Sequence, residues 1–145
     1  MASNQIAVFR RILIPLDFTD KNSAAVRVAK KMARQNRSEI TLLHVIEQIE
    51  GLSETELSGF YETLESKAEK QMRTWSGKLD NVGRVKQVIL FGNRLREIVN
   101  FAEAQKIDLI VLSSHTIDPK RAVYAWSTLS NRIAILAQCP VLLVK

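Results

Sequence analysis

Residues 11–17 read Arg11-Ile12-Leu13-Ile14-Pro15-Leu16-Asp17. A short apolar run ending in an acid, with Thr19, Asp20 and Asn22 just beyond as helix N-cap candidates, reads as a buried strand turning into a helix. That helix is expected over Ser23–Arg34, where Ala25, Val28, Ala29 and Met32 recur at steps of three and four. Working outward, the same alternation repeats. Glu39–Ile46 is a second apolar strand. A stripe of Leu57, Tyr61, Leu64, Ala68, Met72, Trp75 and Leu79 marks a long amphipathic helix, ended by Asp80-Asn81-Val82-Gly83. Val85–Leu90 is a third strand and Gly92-Asn93 a turn. Leu95, Ile98, Val99 and Ala102 mark a further helix, and Ile107–Leu112 a fourth strand. Ser113–Trp126 reads mostly as loop, Thr128–Ala137 as a last helix and Pro140–Val144 as a last strand. Strands two, four and five are almost wholly apolar, as when helices cover both faces of a sheet. The fold class is therefore α/β: a doubly wound, mostly parallel five-stranded sheet, Rossmann-like, with expected order 3-2-1-4-5. No linker, repeat or low-complexity tract interrupts it, so residues 1–145 are expected to form one domain.

Composition agrees with this pattern and removes several function classes. In 145 residues, 46% are hydrophobic and 25% charged, which is globular composition and excludes intrinsic disorder. No apolar run reaches the roughly 18–20 residues of a membrane span. The first residues lack a basic segment followed by an apolar core, so no secretory signal is expected and the protein is placed in the cytoplasm. One cysteine, Cys139, excludes an intrachain disulfide and a cysteine metal cluster; it reads as a small packed hydrophobe. With 21 Lys+Arg against 15 Asp+Glu the chain carries +6. Much of that sits on the first helix, at Lys21, Arg27, Lys30, Lys31, Arg34 and Arg37, opposite an acidic Glu47–Glu69, and reads as two solvated faces of opposite sign. No helix-turn-helix, zinc finger or aromatic RNA-binding signature accompanies the charge, so nucleic acid is not the expected partner.

In open parallel α/β sheets ligands bind beyond the carboxyl ends of the strands, where strand order reverses. The residues placed there are Pro15, Leu16 and Asp17 after strand one, His44-Val45-Ile46 after strand two, Ser113, Ser114, His115 and Thr116 after strand four, and Ser127 and Thr128 at the start of the last helix. Helix N-termini nearby suit an anion. His44 reads as a hydrogen-bonded strand-end histidine and His115 as a loop residue. Asp17 reads either as a ligand contact or as a cap on the following helix. A Ser114-His115-Asp17 triad lacks a nucleophile elbow, and its adjacent serine and histidine are poorly disposed.

These segments carry a resemblance. Arg11-Ile-Leu-Ile-Pro-Leu-Asp-Phe-Thr19, Thr41-Leu-Leu-His-Val45, Asp108-Leu-Ile-Val-Leu-Ser-Ser-His115 and Gln138-Cys-Pro-Val-Leu-Leu-Val144 are similar, in order and spacing, to the universal stress protein family. The resemblance implies a homodimeric member of the adenine-nucleotide α-hydrolase-like superfamily with stress-linked roles, some of whose members bind ATP. Their phosphate motif, G-x2-G-x9-G-[S/T], falls here on Ser113, Thr116, Ser127 and Thr128. All three glycines are replaced, ten residues rather than nine separate Thr116 from Ser127, and only the final hydroxyl of Thr128 fits. Glycines in such a loop let backbone N–H groups approach phosphate without a Cβ in the way. The resemblance also implies nucleoside contact at Asp17 beside Pro15, an adenine contact at the Val45 backbone, and a glycine after strand three at Gly92. Lys120 and Arg121, in the altered loop, are candidates to replace lost amide contacts. The expected function is thus a non-enzymatic, dimeric stress-response protein acting through contacts with another protein, with weak ATP or AMP binding at most. Alternatives are an ATP-binding switch with slow hydrolysis and a basic nucleic-acid module. No metal is expected. The apolar strand Pro140, Val141, Leu142, Leu143 and Val144 is the expected dimer edge, since an unpaired apolar edge invites pairing.

Overall fold

The structure is a computed structural model and describes residues 9–48, 51, 54–114, 120 and 128–145. Five strands are present: β1 (Arg11–Pro15), β2 (Glu39–Glu47), β3 (Arg84–Gly92), β4 (Leu109–Ser113) and β5 (Val141–Val144). They pair in parallel in the order β3-β2-β1-β4-β5, which is the order read from the sequence. Among the described residues four helices connect them: α1 (Asn22–Asn36), α2 (Glu54–Gly77), α3 (Arg94–Ala104) and α4 (Leu129–Leu136). Most of the expected Ser113–Trp126 loop lies outside the described residues.

Strand parity builds two cores. Successive side chains point to opposite faces, so Ile12, Ile14, Ile40, Leu42, Leu109 and Val111 join one cluster with α1 and α2. Leu13, Leu43, Val45, Ile110 and Leu112 join the other with α3 and α4. Ile12, Leu13 and Ile14 have no solvent exposure, as befits the central strand of a sheet covered on both faces.

The helices follow their stripes with one adjustment. α1 buries Asn22, Ala25, Val26, Ala29 and Ala33, whereas Val28 and Met32 are only half-buried. The face is turned toward the alanines because their small side chains let the helix axis approach the sheet. The stripe on α2 is core in its second half, with Ala68, Met72 and Trp75 buried and Leu79 buried just past its end, whereas Leu57, Tyr61 and Leu64 are only half-buried. Tyr61 stacks edge-on against Phe91 at 6.0 Å.

The expected cap of α1 needs correction. Thr19, Asp20 and Asn22 do not cap it; Lys21 is the N-cap and makes no side-chain cap bond. The chain approaches through a tight turn in which the amides of Asn22 and Ser23 donate to the Thr19 and Asp20 carbonyls, at 3.0 and 3.1 Å. One further amide of the first turn, Ala25 N–H, donates instead to Ser113 Oγ at 3.1 Å. A strand 88 residues away thus supplies what a local cap would have. The basic residues of α1 also do not form one solvated face. Lys21 faces the cleft at the carboxyl ends of the strands, Lys30 is ion-paired to Asp80, and Arg34 and Arg37 line a cleft at the opposite end of the sheet.

Candidate functional site

Where β1 and β4 part company, the chain leaves β1 through Pro15, Leu16 and Asp17. Leu16 N–H still pairs with the Leu43 carbonyl at 2.8 Å, so the strand ladder runs to the rim of the cleft. Phe18 then adopts a left-handed conformation, φ 65°. For a non-glycine residue this costs on the order of 1–2 kcal/mol. The bend is held by flanking contacts. The Phe18 ring stacks on His44 at 4.2 Å, and His44 Nδ1 lies 2.7 Å from the Leu16 carbonyl. Because a carbonyl only accepts, Nδ1 carries the proton and Nε2 is the bare nitrogen. Burial and the Arg94 charge hold the His44 pKa below its ordinary value, outweighing the Leu16 bond and Asp17. His44 is neutral at pH 7 and serves as a strut between two strand ends.

Asp17 is fixed by its own turn. Its carboxylate accepts from the Thr19 amide at 2.9 Å and from the Thr19 hydroxyl at 2.6 Å, while its amide donates to Asn22 Oδ1 at 3.1 Å. This is an Asx-type turn rather than a helix cap. Burial pushes the Asp17 carboxyl up, but the two Thr19 bonds and the nearby Arg94 charge outweigh it, and its pKa lies below the usual value. The group is an exposed carboxylate, oriented and charged, with lone pairs left to accept from a ligand hydroxyl.

The cleft beside Asp17 encloses about 250 Å³. Leu43, Val45, Ile98, Leu112 and Leu129 make its apolar wall, and Asp17, Lys21, Asn22, Arg94, Ser113, Thr128 and Ser130 supply polar groups, beside Pro15 and Leu16. Of the candidate residues, Pro15, Leu16, Asp17, Val45, Ser113 and Thr128 are brought together here. Two of these hydroxyl groups already work within the fold, since Ser113 accepts from α1 and Thr128 Oγ1 accepts from Asn131 N–H at 3.4 Å as the N-cap of α4. Ser114 stands aside from the cleft lining; its amide donates to the Val144 carbonyl at 2.7 Å, extending the pairing of β4 with β5. Gly92 also lies outside the lining. Its φ is 144°, a conformation that side chains rarely adopt, and this backbone geometry accounts for the glycine. Lys120 is exposed. His115, Thr116, Arg121 and Ser127 lie outside the described residues.

Sequence reading missed Arg94, the first residue of α3. Asn93 caps this helix by accepting from Arg96 N–H at 3.0 Å, which sets Arg94 on the helix shoulder facing the cleft. Arg94 Nε is 3.9 Å from Glu47 at the end of β2. The signal was available: Gly92-Asn93-Arg94 follows strand three, and in a parallel sheet that turn opens at the same end as Asp17. Lys21 was counted as part of a solvated helix face, yet it lines the same cleft. The assembled chemistry is an ionised acceptor, two cations and an apolar wall, suited to holding a flat, partly apolar ligand that carries hydroxyl and anionic groups. Among the described residues no three His, Cys, Asp or Glu side chains gather as metal ligands. Cys139 is half-buried against the core beneath α3 and α4, and burial raises its thiol pKa, as for a packing cysteine.

Comparison with known proteins agrees with this geometry. Along 95% of its length the chain is 29% identical to a universal stress protein of Methanocaldococcus jannaschii, covering 96% of that protein. Its fold matches the universal stress protein UspA from Lactobacillus plantarum with a TM-score of 0.83 at 23% identity, covering 97% of this chain and all of that one. It also matches the universal stress protein from Archaeoglobus fulgidus in complex with dAMP, with a TM-score of 0.68 at 15% identity, covering 96% of this chain and all of that one. The model of the universal stress protein family matches residues 9–145, so with its sheet order and switch-point cleft this chain belongs to the universal stress protein family.

Proposed function

We propose that the chain is a non-enzymatic, cytoplasmic regulatory protein that works as a homodimer through contacts with another protein, with an adenine nucleotide bound weakly in the switch-point cleft. The observation that carries this reading is the cleft itself: Asp17 held ionised by Thr19, opposite Arg94 and Lys21, over a wall of Leu43, Val45 and Ile98. In this reading the apolar wall takes the base, Asp17 accepts from ribose hydroxyls, and Arg94 and Lys21 meet phosphate. The relative in complex with dAMP supports an adenylate as the ligand class. Weak binding follows from the sequence of the phosphate loop, where Ser113, Thr116 and Ser127 stand in place of glycines, whose lack of a Cβ is what lets backbone amides approach phosphate. The described cleft, at about 250 Å³, is also smaller than ordinary ligand pockets, which run from about 300 to 1,000 Å³.

The dimer in this reading forms along β5. This strand is at the sheet edge and leaves Leu142 37% exposed, beside Ile135 and Leu136 at 68% and 49% near the end of α4. Apolar edges of this kind pair or aggregate.

Calorimetric titration with AMP and ATP tests the nucleotide, with purified protein first extracted to assay carried-over ligand. A dissociation constant of about 0.1–1 mM is expected, equivalent to roughly −4 to −5.5 kcal/mol. Asp17→Ala is expected to weaken it about tenfold. Nanomolar ATP affinity, or steady ATP turnover that Arg94→Gln abolishes, would replace this reading with that of an ATP-driven switch.

A further inference from the structure

A second cleft, of about 490 Å³, lies at the opposite end of the sheet, where β1, β2 and β3 begin. Five arginines line it: Arg10 and Arg11 at the start of β1, Arg34 and Arg37 at the end of α1, and Arg84 at the start of β3. Glu39 is the single acid in the lining. We infer that this cleft is a binding site for a compact oligophosphate, a ligand with at least three linked phosphoryl groups, separate from the nucleotide cleft.

Three features point to that chemistry. The chain holds eleven arginines and ten lysines, yet every cation in this lining is arginine. Guanidinium groups are the forked, weakly hydrated donors that bind phosphate oxygens in pairs, whereas lysine serves as well for a merely solvated surface. Nearby carboxylates already have partners, and only Glu39 pairs with an arginine side chain of the lining, Arg84. Asp108 accepts from the backbone amides of Arg10 and Arg11, Asp80 is paired with Lys30, and Glu39 bridges Arg84 and Lys86 at 3.2 and 3.1 Å. Among the described residues no ion pair within 4 Å engages the side chains of Arg10, Arg34 or Arg37, although the Arg34 charge reaches Asp80. Arg11 donates to the Gln105 carbonyl at 3.2 Å, which steadies its guanidinium without neutralising it. Finally, the cluster is assembled by the fold. The C-terminal dipole of α1 accounts for cations at Arg34 and Arg37, but not for Arg10, Arg11 and Arg84, which arrive from two strands. Like charges gathered in a concavity repel unless an anion fills it. The five arginines gather around one open concavity rather than along a stripe, which favours a compact polyanion over a nucleic-acid duplex.

Titration of the full-length protein with sodium tripolyphosphate at about 150 mM salt, where diffuse surface charge is screened beyond roughly 8 Å, tests the site. Saturable one-to-one binding is expected. Arg34→Gln with Arg37→Asn should weaken it at least tenfold; asparagine is chosen because Arg37 is left-handed, φ 55°. Lys70→Gln with Arg73→Gln, the same change of net charge on α2, should change it less than twofold. If the first pair does not fold by circular dichroism, Arg34→Gln alone is used, with about a threefold loss expected. Equal losses in both pairs would show general charge attraction and overturn the site. So would no saturable binding, loss of tripolyphosphate binding in Arg94→Gln, which would move the ligand to the nucleotide cleft, or displacement of tripolyphosphate by a 20-base-pair duplex at lower concentration. Because Arg94 belongs to the other cleft, failure here leaves the nucleotide reading intact.

Discussion

Over one face of the sheet lie α1 and α2, 15 and 24 residues long; over the other lie α3 and α4, 11 and 8. The first face buries Ala25, Ala29 and Ala33 at close approach together with Met72 and Trp75, over whose ring Lys78 Nζ sits at 3.8 Å, and leaves Phe18, Met32, Val85 and Ile89 partly covered. The second holds Leu13, Leu43, Ile110 and Ile133 fully covered but leaves Leu95, Phe101, Leu129 and Leu143 only partly so. The apolar wall of the switch-point cleft, Leu43, Val45, Ile98, Leu112 and Leu129, belongs entirely to this second face. The exposed Ile135 and Leu136 are on its short helix. The difference teaches where the open surface lies: the switch-point cleft and the exposed Ile135 and Leu136 both belong to the face covered by the short helices.

The sharpest way to break this comparison is to empty each core in turn. Trp75→Ala is expected to lower unfolding free energy by about 3–5 kcal/mol and Ile133→Ala by about 2–4, measured by urea unfolding. A larger loss for Ile133→Ala would reverse the order of the two faces. Next, Leu142→Lys puts a charge on the β5 edge. Sedimentation is expected to show the dimer constant weakened at least about 100-fold, or roughly 2.7 kcal/mol, with little change in the monomer spectrum. An unaltered dimer would place the interface elsewhere. The smallest effect concerns His44, which ties the two strand ends at the cleft. Its folded pKa lies below 6.5, so the unfolded chain binds the extra proton first. The stability this contributes is complete above pH 6.5 and is lost as pH falls toward the folded value. His44→Asn, whose side-chain amide keeps a donor toward the Leu16 carbonyl, should flatten the fall in urea midpoint between pH 7.5 and 5.5. An unchanged slope would assign that pH dependence to other groups.

How far the sequence could be read depended on range. Elements and their order were legible because Ile12-Leu13-Ile14 and Leu109–Leu112 are short, doubly apolar runs separated by helical stripes, and parallel sheets of that kind have few topologies. Within the candidate site, Asp17, Val45, Ser113 and Thr128 were legible because each lies at the carboxyl end of a strand or the start of a helix. Arg94 was not, since one arginine after a turn looks like any surface cation until the parallel pairing of β3 sets it beside Asp17. The cap of α1 was misread for the same reason: the Ala25 amide finds Ser113, a partner no local spacing announces.

Composition and periodicity alone therefore determined the class of fold, the strand order and the end of the sheet where a ligand would lie, because these follow from which residues must leave water. Tertiary structure alone decided where the +6 charge is spent. It turned Lys21 and Arg94 toward one cleft and gathered Arg10, Arg11, Arg34, Arg37 and Arg84 at the other. Burial is a property of each residue and its near neighbours, whereas a charge acquires meaning from groups that folding brings within a few ångströms of it.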